Sequence, residues 1–155
     1  MKSTNMSIKN ILVVVIMLTL ISCKKDVFKS DIFIKKEWKI DLNTSNIIPA
    51  ISSRTDHAVA ILYLMDNKQL SYNIYFDKPF ENGDNATSAK LYTGSSTENG
   101  AVLLDLKNGS FNAQREISGI LNLDDVTIQK LQSESVYMQV SSSQKTDGLV
   151  RGQLR

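Results

Sequence analysis

The chain has 155 residues, one histidine, one cysteine and a formal charge of +2. A single imidazole and a single thiol exclude zinc or copper centres built from clustered ligands, and they exclude an internal disulfide. Near-neutral charge excludes the basic surface that nucleic-acid binding requires, since that binding rests on phosphate neutralisation.

Lys2 and Lys9 precede an apolar run from Ile11 to Leu18 that continues through Ile21. A span needs roughly 20 apolar residues, so this shorter run reads as a secretory signal and not a membrane helix. It closes in Leu20-Ile21-Ser22-Cys23, which resembles a bacterial lipobox; the resemblance implies cleavage before Cys23 and acylation of its thiol. The expected organisation is a signal peptide over 1–22, an acylated cysteine and tether over 23–33, and one β domain over 34–155. Loss of Lys2 and Lys9 leaves the mature chain with equal numbers of basic and acidic residues. Lys24, Lys25, Lys29, Lys35, Lys36 and Lys39 crowd the anchor, where such clusters attract anionic headgroups or simply solvate a tether. Lysine at position 24, in place of the aspartate that resembles an inner-membrane retention signal, favours the outer membrane. The expected location is therefore the bacterial cell envelope, lipid-anchored.

Trp38, Ile40 and Leu42 alternate with Glu37, Lys39 and Asp41, the period-two pattern of a half-buried strand with Trp38 in the core. Asn43 to Asp56 is polar, holds Pro49, and reads as a loop. His57 to Met65 is apolar on both faces, as in a central strand, and Asp66-Asn67-Lys68 turns it into a partner carrying Leu70, Tyr72, Ile74 and Phe76 on one face. Further strands are expected over Thr87 to Tyr92, around Val102, Leu104 and Leu106 before the Asn108-Gly109 turn, and around Ile117 to Leu123. Asp124 reads as the N-cap of a short helix holding Ile128 and Leu131. Val136, Met138 and Val140 mark a strand with one buried face, Asp147-Gly148 a turn, and Val150, Gly152 and Leu154 the return. Gly152 implies a large neighbour such as an aromatic ring, and Arg151 reads as a solvated strand residue. About eight strands and one helix predict an all-β fold, an antiparallel Greek-key-like sandwich or barrel.

Three stretches together resemble the CHRD (chordin) domain family across Trp38 to Leu154. They are the opening from Pro49 through the His57 to Phe76 hairpin, the ATSAKLYTGSSTENGAVLLDL segment from Ala86 to Leu106, and the closing Val136 to Leu154 with its RGQL ending. The resemblance implies a non-catalytic extracytoplasmic binding module whose polar motif falls on Lys90, Tyr92, Ser141 and Arg151. Lys90, Tyr92 and Ser141 stand where the family usually carries histidines, so a role that depends on imidazole at those positions does not carry over. No catalytic residue, cofactor or metal is expected; the carboxylates of Asp77, Glu81 and Asp84 lack the spacing of a calcium loop. His57 opens a strand and not a nucleophile elbow, which argues against a triad. Expected partners are the membrane, through the lipid, and an extracytoplasmic protein or glycan. The alternative is an envelope glycan hydrolase using a carboxylate pair among Asp77, Glu81, Asp84 and Asp105, since such a pair is set by the fold and not by spacing.

Overall fold

Alternating side chains set each strand of the domain. A computed structural model describes residues 31–108 and 110–155; the leader, Cys23 and Gly109 lie outside the described residues. Among the described residues the strands are β1 (Ile34–Asn43), β2 (His57–Met65), β3 (Gln69–Phe76), β4 (Ala86–Thr93), β5 (Val102–Asn108), β6 (Glu116–Asn122), β7 (Val136–Ser142) and β8 (Val150–Gln153), with one α-helix, α1 (Asp125–Ser133), before β7. All pairings are antiparallel, and the order β5-β4-β7-β8-β1-β2-β3-β6 makes one eight-stranded sheet that curls into a nearly closed barrel.

The inner face carries the core. On β1, Trp38, Ile40 and Leu42 turn inward; on β2, Ala58, Ala60, Leu62 and Leu64 do, and the intervening residues of β2 are half-buried on the outer face. Register sets the small residues between large ones: Ala60 pairs with Ile40 and Ile74, and Ala58 with Leu42 and Phe76. Such alternation of bulk fills a narrow barrel without voids. Each large aliphatic side chain so buried contributes about 1.5–3 kcal/mol.

The barrel is open between its two edges, β5 and β6, which are not paired with each other. Tyr72 of β3 bridges part of that seam: its hydroxyl donates to the Leu106 carbonyl on β5 at 2.7 Å. Its ring lies where a side chain on Gly119 would project, since a Cβ there would sit 2.7 Å from the Tyr72 Cζ. The expectation of an aromatic ring over Gly152 is thus corrected. Gly152 faces the Asp41 backbone, and a Cβ would sit 2.7 Å from Ile40 Cγ2. The final strand runs so close to β1 that only glycine fits, and the ring expected there lies over the other strand glycine.

The Asp124 side chain accepts from the Thr127 backbone N–H at 2.7 Å, capping α1 as its sequence predicts, and Leu131 anchors the helix in the core. A second correction concerns β7 and β8. Both faces of β7 are covered, with Tyr137 as buried as Met138, because loops from both ends of the barrel fold over its outer side.

Candidate functional site

Ladder register brings the predicted positions onto one outer face. Lys90 of β4 pairs with Gln139 of β7, which pairs with Arg151 of β8; one step along, Tyr92 pairs with Tyr137, and Ser88 with Ser141 in the other direction. Their environments differ sharply. Lys90 reaches Asp105 across β4 and β5 at 3.4 Å and remains partly exposed. Ser141 is 9% exposed and Arg151 only 1%.

The reading of Arg151 as a solvated residue is therefore overturned. Arg151 does point to the outer face, but the loop between β4 and β5 forms a roof over it. Its guanidinium donates to Asn99 Oδ1 at 2.9 Å and to the carbonyls of Ser95 and Glu98 at 2.7 and 2.6 Å. It also lies 3.5 Å from the centre of the Tyr137 ring, whose opposite face stacks on Tyr92 at 5.1 Å between centroids and 5° between planes. A desolvated guanidinium over an aromatic face gains about 2 kcal/mol, and the planar fork suits three fixed acceptors. Arg151 thus supports the site from beneath.

Above this stack lies a cleft of about 450 Å³, lined by Ile48, Pro49, Asn99, Gly100, Thr146 and Asp147 with Tyr92, Tyr137 and Gln139 as its sheet-borne floor. A neighbouring recess of about 300 Å³ continues it past Ile47 and Gly148, sharing Ile48, Pro49, Thr146 and Asp147. The walls are tied together: Asn99 Nδ2 donates to the Ile48 carbonyl at 3.0 Å, Gln139 Nε2 to the Asp147 carbonyl at 2.7 Å, and the Gly100 N–H to the Tyr137 hydroxyl at 3.1 Å. Burial, with Tyr137 and Asp105 nearby, pushes the Tyr92 phenol above its usual value, so it stays a neutral hydroxyl. Of the four predicted positions only Tyr92 lines this cleft; Lys90, Ser141 and Arg151 do not. Tyr137, Asn99 and Gln139 were not among the expected site residues. Tyr137 was findable, because it stands opposite Tyr92 in strands whose alternation is plain, whereas the loop residues carry no periodic signal.

Two polar clusters hold the surrounding loops. Arg54 donates to Asp56 at 2.6 Å and to Asp84 at 2.8 Å, all three nearly inaccessible. Asp84 also accepts from the hydroxyls of Ser142 and Ser143 and the backbone N–H groups of Gln144 and Asn85. Burial alone would raise its carboxyl, but these donors outweigh burial and hold it far below the usual carboxylate range. The second cluster clamps His57 between Asp41, 2.6 Å from Nε2, and Asp77, 2.9 Å from Nδ1. The bond to Asp41 has the largest effect and raises the imidazole above its ordinary value; burial opposes it, and the bond to Asp77 adds to the rise.

The hydrolase alternative finds no support in this geometry. Asp77 is bound to His57, Glu81 to Thr55, Asp84 to Arg54, and Asp105 to Lys90, and none of the four lines the cleft. Among the described residues no three His, Cys, Asp or Glu side chains are placed to hold a metal.

An all-β barrel with a roofed, loop-walled cleft on one sheet face has the architecture of a small binding module. The chain belongs to the CHRD domain family, whose model matches residues 38–154, most of its length. CHRD is generally a non-enzymatic domain and suggests a binding module. No curated protein and no solved structure matches the chain.

Proposed function

We propose that this chain is a lipid-anchored module of the bacterial cell envelope that binds a neutral, hydroxyl-rich glycan in the cleft over Tyr92 and Tyr137. The single observation that carries the reading is the chemistry of the cleft lining. The Asp147 carboxylate and the Gln139 carbonyl oxygen offer acceptors, and the Tyr92 and Thr146 hydroxyls offer both roles. Among the described residues no lysine or arginine lines the cleft itself, and Lys145 lines only the adjoining recess, so the cleft suits a neutral ligand better than a phosphate or carboxylate. Apolar walls at Ile48 and Pro49 beside convergent polar groups are the usual make-up of a small-ligand pocket. A recess of this size suits a few sugar rings better than a flat protein partner. The anchoring half of the reading rests on the lipobox ending at Cys23.

The test is retention of envelope glycans and proteins, scored separately, on the full acylated chain. Tyr92→Ala and Asp147→Asn are expected to lower glycan retention about tenfold, the loss of roughly 1.4 kcal/mol of binding. Equal glycan retention by both variants, or retention of proteins alone, would overturn the reading.

A further inference from the structure

We infer that the end of the barrel where β1 begins sits in the interfacial layer of a lipid bilayer, with Ile32, Phe33 and Ile34 as its inserting side chains. The inference rests on the acylation of Cys23 proposed above. These three consecutive residues are 50%, 62% and 55% exposed. A single exposed apolar residue is ordinary, but a contiguous group marks a contact surface.

The group is presented by the fold. The Phe33 carbonyl accepts from the Asp66 N–H at 2.9 Å, and Ile34 pairs with Met65, so the segment is fixed to the β2–β3 turn. That turn also gathers the start of α1: Lys68 bonds Asp125 at 2.9 Å, and the Leu123 N–H bonds the Lys68 carbonyl. Val126, 61% exposed, follows Asp125 directly and adds a fourth apolar side chain to the same end.

Charge and chain length select a lipid surface as the occupant. Between residues 24 and 39, Lys24, Lys25, Lys29, Lys35, Lys36 and Lys39 outnumber Asp26, Asp31 and Glu37. The turn and helix start at the same end carry Asp66, Asp124 and Asp125 against Lys68, so the basic excess belongs to the leading segment. Apolar side chains flanked by lysines fit the boundary between acyl chains and anionic headgroups. Cys23 lies nine positions before Ile32, a reach of at most about 30 Å when fully extended. An acylated Cys23 therefore keeps this end within one bilayer thickness of the membrane at all times. The lipid supplies the affinity, and the apolar end sets the orientation.

The test uses the acylated full chain in vesicles whose lipids carry bromine at defined depths. Phe33→Trp is expected to lose fluorescence about twofold or more to bromines just below the headgroups, the depth of an interfacial side chain. Lys78→Trp, at the exposed opposite end, is expected to match the wild type, whose Trp38 is buried. An unquenched Phe33→Trp on a chain whose mass spectrum shows acylated Cys23 would overturn the inference and leave the anchor standing; self-association or protein capture at this end would give that result. A spectrum without acyl chains would instead overturn the anchoring reading beneath it.

Discussion

Asp84 and Arg54 face each other with side chains 0% and 2% exposed, so neither charge is compensated by water. Removing one partner of such a pair costs about 3–5 kcal/mol, because the other charge is left buried. Asp84→Asn keeps the shape but removes the charge, and chemical denaturation at neutral pH is expected to show a loss of about 3 kcal/mol. The pH dependence has a definite sign. The folded carboxyl titrates far below its unfolded value of about 3.9, so its contribution is complete above that value and is lost as pH falls through the folded one. Wild type should therefore weaken steeply below about pH 4, and Asp84→Asn should have a shallower acid limb in the same titration. This network was not legible in the sequence, where Asp84 read as a loop carboxylate. Its donors, Arg54 in the β1–β2 loop and Ser142 to Gln144 at the end of β7 and in the turn after it, are distant in the chain and only the folded sheet brings them together. Arg151 shows a related limit. Alternation placed it on the outer face, and the structure agrees; no periodicity announces that the loop from Gly94 to Gly100 will roof that face.

The strands and the capped helix were legible as elements, because apolar side chains at a spacing of two and an aspartate before a short helical run act locally. What local pattern could not give was the neighbour of each strand. Gly152 signalled close approach and Gly119 did not, and only the fold shows that Gly119 makes room for Tyr72 and Gly152 for β1. Gly152→Ala would drive a methyl group into the Asp41 backbone and Ile40, neither of which can yield without moving β1. Overpacking of this kind costs about 1–3 kcal/mol, and a lowered midpoint with unchanged slope in urea unfolding is the expected measurement. The same change should disturb the Arg151 bonds beside it, lowering the thermal transition and loosening the cleft together.

For the molecule as a whole, the all-β class followed from the number and spacing of strands, and the closing hairpin does lie within the sheet. The choice between sandwich and barrel required the pairing of β8 with β1, a single register point at Asn43 and Arg151. Anchoring belongs to this scale as well. Cys23→Ala is expected to move the protein from the membrane to the soluble fraction on cell fractionation, since the apolar end alone is too small to hold it. Membrane association unchanged by that substitution would refute the anchor.

The place of β8 has a consequence for biosynthesis. It is the last strand of the domain in chain order, yet it lies between β7 and β1 and joins a three-stranded part of the sheet to a four-stranded one. A ribosome or an export channel that still holds Val150–Gln153 holds back the keystone, and the chain ahead of it presents raw sheet edges with no mate. Completion of the barrel must wait until β8 is free to pair, which keeps the polypeptide threadable up to that point and makes loss of those few residues equivalent to loss of the join between β7 and β1.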